Sequence, residues 1–357
     1  MSTWGKNGQK GQTLVWVALS LVALLIVLAM ALDITHVYDE RRHMQNAADA
    51  GALAGARELC IGNGPGAAAA KAYEYATAEN AGLYPQDATV SVGSNDVTVV
   101  ARERISLWFG GITGMGTFSV TARARAACGR VTEACGLWPV AFDLMMWQEM
   151  LPCNPYQVFY IWDDDKIVDC TKYQCDLDGD GKNEIVAGGD RGWLDLSGAV
   201  GAYRHECLQP GCGASELGCL IRNNSGIQIS LPVCVSGDSG VKAGIQNDVN
   251  SRIGDTVGIP LFDTIGCSDP TGNCPGGIRF HVVSIGCVTI LGWEQNLKLE
   301  PIVPPGEEKG KKTPLPPLIG KAIKVRMDCP QNCMSKCGST DGTPALDWEY
   351  KAVSLVE

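Results

Sequence analysis

Residues 176–184 read Asp-Leu-Asp-Gly-Asp-Gly-Lys-Asn-Glu, the densest set of oxygen donors in the chain. A calcium ion takes six to eight oxygens, and carboxylates at alternate positions of a tight turn converge on one point. The spacing therefore predicts Asp176, Asp178, Asp180 and Glu184 as side-chain ligands, with the Lys182 carbonyl as a further donor. Gly179 and Gly181 supply the backbone freedom that such a turn needs. Ala187 stands where an EF-hand would place its bidentate glutamate, so the loop is expected to hold a structural Ca2+ rather than act as a switch. The bland alternative is a solvated acidic turn.

Other reactive combinations are poor. Gly237-Asp238-Ser239-Gly240 matches the tetrapeptide around the nucleophile of trypsin-like proteases. A nucleophilic serine also needs a histidine base and an orienting acid. The chain has four histidines, His36, His43, His205 and His281, and none lies in a matching context. There is no P-loop and no HExxH, and GxGxxG has no fitting context. No catalytic residue and no small-molecule substrate is expected, and a tethered hydrolase is the least favoured function.

The elements that position the acidic loop begin with residues 13–32, a twenty-residue stretch without a charge that ends at Asp33. As a helix it spans about 30 Å, the thickness of a bilayer's hydrocarbon core. Its length argues against a cleaved secretory signal, whose apolar region is shorter. All sixteen cysteines lie beyond it, and no CxxC pair suggests zinc. Disulfides persist in oxidising compartments, which places the C-terminal body outside the cytoplasm and residues 1–12 inside. Close-spaced sets (Cys170/Cys175, Cys207/Cys212/Cys219, Cys267/Cys274, Cys329/Cys333/Cys337) suggest small local loops, although spacing alone does not fix connectivity. All 39 acidic residues but only 27 of the 29 basic ones follow residue 32, a balance that disfavours nucleic acid as a partner.

After Asp33 no residue breaks a helix until Gly51, and apolar or small residues recur at helical spacing through Ala54. The membrane helix is predicted to run on as a stalk to Leu59, some 70 Å in all. Gly62 to Gly66 ends it, and an Ala-rich helix over Ala67–Ala81 follows. From Ala88 the period becomes two. Val90, Val92, Val97 and Val99 alternate with polar residues, and so do Phe118, Val120, Ala122 and Ala124, with a turn at Ser94-Asn95-Asp96. A small helix-plus-strands unit closing near Cys128 is expected. Beyond it, strands are predicted at Val158–Trp162, Ile227–Val235, Thr256–Phe262, Arg279–Leu291, Ala322–Met327 and Trp348–Val356, with a helix at Val241–Val249. Residues 129–357 thus read as a β-rich, disulfide-stapled exported domain carrying the 176–184 loop and a Pro-rich insertion at 301–317. Trp138, Trp147, Trp162, Trp193, Trp293 and Trp348 are expected as core or turn-packing residues rather than as a binding stripe. The fold class is α+β.

The run Gly11-Gln12-Thr13-Leu14-Val15, the apolar stretch closed by Asp33, and Gln45-Asn46-Ala47-Ala48-Asp49-Ala50-Gly51-Ala52-Leu53-Ala54-Gly55-Ala56 together resemble the N-terminal region of the TadE/TadG-like Flp (tight adherence) pilus-assembly family. The resemblance covers residues 8–60 and extends more loosely to about 128; Asn250–Asp263 is similar to C-terminal regions of some members. It implies a single-pass envelope protein, non-enzymatic, whose Ala/Gly-rich helix packs on pilus-assembly components or other pilin-like helices. Trp16 lies five positions after Gly11 where processed pilins carry glutamate, so pilin-type processing is not implied. No DxSxS adhesion motif is present. The 176–184 loop is similar to calcium loops of integrin-like propeller repeats and dockerins. The competing function is a membrane-tethered, calcium-stabilised adhesion protein unrelated to pili.

Overall fold

The computed structural model describes residues 12–79, 87–114, 116–150, 157–162, 168–177, 179, 181, 183, 185–187, 191–194, 196, 214–223, 228–238, 243–266, 278–302, 315–333, 338–345 and 349–356. The chain divides into two compact units: residues 1–58 with 63–126, and residues 59–62 with 127–356.

The first unit is built on α1 (Gln12–Cys60), a single 49-residue helix, as the absence of breakers predicts. Its apolar stretch is bare: Leu14, Trp16, Leu24 and Leu28 are among many exposed large side chains there, and the most apolar window has none of its residues buried. Burial begins at Asp33 and becomes regular from Met44 onward, at Ala47, Ala48, Ala52 and Ala56. After a break at Ile61–Asn63 comes α2 (Gly64–Glu74), continued by a π-helical turn over Tyr75–Glu79. This helix starts three residues earlier than the composition suggests. Pro65 does not break it, because proline in the first turn forfeits only a donor that has no intrahelical acceptor.

Strands β1 (Ala88–Val92) and β2 (Asp96–Ser106) pair antiparallel, Val90 opposite Val99, about the turn anticipated at Ser94–Asn95. Strand β3 (Thr117–Cys135) pairs with β2. It does not stop near Cys128 but continues to Cys135, so its beginning belongs to the first unit and its end to the second. Val120, Ala122 and Ala124 point inward as alternation predicts, whereas Phe118, assigned to the same face, is exposed.

In the second unit the chain gives β4 (Val140–Asp143), α3 (Leu144–Glu149), β5 (Val158–Trp162), β6 (Ile185–Ala187), β7 (Arg191–Leu194) and α4 (Ala214–Asn223). There follow β8 (Gln228–Ser230), β9 (Val233–Asp238), α5 (Gln246–Asn250), β10 (Thr256–Ile265), β11 (Ile278–Leu299), β12 (Leu318–Met327), β13 (Ser339–Thr340) and β14 (Lys351–Leu355). The strand expected over 227–235 is two strands parted at Leu231–Pro232, since proline lacks the donor a central ladder position needs. The helix expected at 241–249 is a 3-10 turn, Ala243–Ile245, leading into α5. Strand β11 is longer than its sequence pattern indicates, with bulges at Ile290/Gly292 and Glu294/Leu297 in its pairing with β12 that disturb the alternation.

Pairing runs β10-β4-β7-β9-β11, and β11 pairs back onto β10, so five strands form a closed ring; β12, β5 and β6 continue from β11. β3 also pairs with β8 and β13 near its end and with β14, all in one six-stranded sheet. Inside the main core, Phe142, Trp147 and Phe159 meet with ring centroids 5.3–6.4 Å apart. Trp138, Trp147, Trp193 and Trp293 are buried as expected; Trp162's side chain and Trp348 lie outside what is described. Such rings carry most of the apolar area a β-rich core removes from water.

Candidate functional site

All ten cysteines among the described residues are disulfide-bonded. Cys170–Cys175 is the small local loop anticipated. Cys333 departs from expectation: it bonds Cys287, forty-six residues away, rather than closing a loop with Cys329 or Cys337. Its segment docks on β11 through Asp328, whose carboxylate accepts from Thr289 Oγ1 (2.7 Å), the Cys329 N–H (2.8 Å) and Asn332 Nδ2 (2.6 Å). Burial pushes this carboxyl upward, but the hydrogen bonds outweigh it and hold Asp328 below the ordinary aspartate range. Cys60 bonds Cys128.

Of the five residues predicted to hold calcium, Asp176 is described; Asp178, Asp180, Lys182 and Glu184 lie outside the described residues. The Asp176 carboxylate accepts from the N–H groups of Gly179 (2.8 Å) and Gly181 (3.0 Å). Both glycines adopt positive φ, +79° and +87°, the conformation for which glycine was singled out. Among the described residues no group of three or more His, Cys, Asp or Glu gathers as a metal site. Of the protease-like tetrapeptide, Gly237 and Asp238 belong to β9, and Ser239 and Gly240 lie outside the described residues, as does His205. His281, on β11, places Nδ1 2.7 Å from Asp263 Oδ1 on neighbouring β10, a cross-strand pair.

The family-like segment is described from Gln12 onward. Its small-residue face is occupied by the chain itself. A Cβ on Gly51 would stand 2.7 Å from the Ala72 carbonyl and 2.9 Å from Ala76 Cβ; one on Gly55 would meet Ala72 Cβ at 2.8 Å, the Ala68 carbonyl at 2.9 Å and Val97 Cγ1 at 3.0 Å. Gly51 and Gly55, one turn apart, therefore let α1 and α2 approach closely. The expectation that this face packs on partner helices is corrected for residues 44–60: α2 and β2 already cover it. α1 leaves its apolar stretch to Leu32 bare, and Ile34 and Tyr38 beyond Asp33 are exposed as well.

Where that stretch ends, Asp33 is buried. Its Oδ1 accepts from the Trp108 N–H (2.9 Å) and the Phe109 N–H (3.1 Å), and its Oδ2 from the Phe109 N–H (3.2 Å). Trp108 stacks on His36, one turn further along α1, with centroids 4.8 Å apart. Sequence reasoning used Asp33 only as a terminator and overlooked Trp108 and Phe109. The available signal was the uncharged stretch between Arg104 and Arg123, which holds three of the first unit's aromatic residues.

Residues 11–58 match the model of a family described as putative Flp pilus-assembly TadE/G-like. The matched segment is α1 from its start to the end of its small-residue face, which places the N-terminal region of this chain among Tad-like sequences. No curated protein and no solved structure matches the chain.

Proposed function

We propose that this protein is a membrane-anchored, non-enzymatic component of an Flp/Tad-type pilus or a related surface-assembly apparatus, acting as a minor pilin-like or assembly protein. One observation carries the reading: the family match covers the helix that is bare and apolar to Leu32 and packed against its own chain beyond Met44. Such a helix anchors the protein by residues 13–32. It offers partners the membrane-embedded surface rather than the Ala/Gly face. The disulfide-bonded body is extracytoplasmic and residues 1–12 are cytoplasmic, a topology supported by the oxidised cysteines.

In the same proposal, Asp176, Asp178, Asp180, the Lys182 carbonyl and Glu184 hold a structural Ca2+. Support comes from the two positive-φ glycines folded about Asp176 and from the Cys170–Cys175 disulfide immediately before it. Calorimetric titration of the full chain with Ca2+, in wild type and Asp178→Ala/Asp180→Ala, checks it; equal heats from both proteins would remove calcium from the account.

The decisive experiment is co-purification of the tagged full-length protein in mild detergent. Enrichment of pilus secretion-platform components supports the assembly role. Their absence, together with retained binding of intact cells to surfaces, supports the tethered-adhesion reading instead.

A further inference from the structure

Three exposed aromatic residues of the first unit belong to one connection and the strand that follows it. Trp108 is 64% exposed, Phe109 37% and Phe118 49%, and Ile34 on α1 is 64% exposed. Trp108 and Phe109 start the β2–β3 connection, whose feet are tied by the Leu107 N–H donating to the Gly116 carbonyl (3.1 Å); Phe118 lies near its end on β3. Between Arg104 and Arg123 the sequence carries no charge. Scattered exposed apolar side chains are ordinary on a soluble surface. These are not scattered, because the Asp33 carboxylate fixes the backbone of Trp108 and Phe109 at the residue where the bare apolar helix ends.

That bond sets a depth. If Leu32 is the last residue in hydrocarbon, Asp33 lies at its boundary, and Trp108 and Phe109 are held at the same level. A carboxylate there is costly unless it is hydrogen-bonded, and two backbone N–H groups satisfy it. Tryptophan favours this boundary, where an apolar ring meets the polar headgroups. A run without charge is what lets the connection approach lipid.

We propose that Trp108, Phe109 and Phe118 form a second membrane contact, seated in the headgroup–acyl boundary of the leaflet from which α1 emerges. The first unit is then held to the bilayer at two points, which fixes the rotation of α1 about its axis as well as its depth. Asp33 is the positioning residue that couples the two contacts. The inference rests on residues 13–32 spanning the membrane.

The test uses the full-length protein in lipid nanodiscs, with p-benzoylphenylalanine placed singly at Trp108, Phe109, Leu24 or Ser94 and adducts identified by mass spectrometry. Ser94 is exposed at the other end of β2, about 35 Å along the strand. Lipid adducts at 108 and 109 comparable to those at Leu24, and none at Ser94, are expected. Lipid adducts at Leu24 with only protein adducts or none at 108 and 109 would overturn the second contact and leave the span intact. Loss of lipid adducts at Leu24 as well would overturn both. Hydroxyl-radical footprinting of the unmodified protein in nanodiscs is the independent measurement. Trp108 is expected to react as slowly as buried Trp138, and reaction at the rate of a solvent-exposed indole would refute the proposal.

Discussion

The first unit contains no cysteine, and the second contains all sixteen. The first buries alanines, valines, Met44 and Ile105, and among its described residues no aromatic ring is buried; the second packs four tryptophans and several phenylalanines. Both need close approach, and glycine serves each differently. In the first, Gly51 and Gly55 bring helix backbone against helix backbone. In the second, Gly286 on β11 makes room for the Trp147 ring. Small side chains remove little apolar area per residue, so the first unit relies on many close backbone contacts along a long helix. The second removes large areas with few rings and restrains its unfolded chain with disulfides.

The largest expected difference lies in the disulfides. Replacing Cys287 and Cys333 together by alanine should cost about 4 kcal/mol by loss of a loop constraint of this length. Reductant should open the second unit to protease while the α1–α2 pair stays resistant, followed by fragment mass. Equal loss of both units would break the contrast. Next, Gly286→Ala sets a Cβ 2.6–2.8 Å from atoms of the buried Trp147 ring. It should destabilise the second unit by about 3 kcal/mol, seen as earlier loss of near-ultraviolet ellipticity on heating.

Glycines in the first unit sharpen the comparison through the sign of the effect. On an open helix face, Gly→Ala stabilises by up to about 1 kcal/mol. At Gly51 or Gly55 the overpacking should exceed that gain and leave a net loss of about 1–2 kcal/mol. Gly66 of α2 has nothing within 4 Å of an added Cβ and should show the gain. Stabilisation by Gly55→Ala would mean that α2 does not cover this face. Hydrogen exchange of α1 amides measures all three.

The smallest effect is electrostatic. Burial, with Glu40 and Asp87 nearby, raises the Glu103 carboxyl above its ordinary 4.5, partly countered by His43. The ionised form is thus disfavoured in the folded state, and the penalty is full at neutral pH and absent below about 4.5, where folded and unfolded forms are both protonated. Glu103→Gln should stabilise the first unit at pH 7 by less than about 0.5 kcal/mol, a gain that vanishes as pH falls through that range. Thermal melts at several pH values check the trend.

Sequence reasoning served the first unit best. α1, the β1–β2 turn and the inward set Val120, Ala122 and Ala124 follow from periods of 3.6 and 2 that involve residues close in the chain. In the second unit β5 was legible to the residue. The short strands β4, β6 and β7 were missed, since three or four residues are too few to show a period. Of the acidic loop, Gly179 and Gly181 take the positive φ that a tight turn needs, while Asp178, Asp180, Lys182 and Glu184 lie outside the described residues. The Trp108–Phe109 connection went unread because its meaning depends on a partner seventy-five residues away.

The sequence by itself determined that this chain has a bare apolar helix of bilayer length, a long small-residue continuation and a cysteine-bearing β-rich body. Composition and local period suffice for those, because each is decided by neighbours within a few turns or one strand. Only the tertiary structure decided that the Gly51/Gly55 face is closed by the chain's own α2, that Cys333 reaches Cys287, that five strands close into a ring, and that Asp33 holds Trp108. Each of these joins residues far apart in sequence, where burial and hydrogen bonding choose among partners that local pattern leaves equivalent.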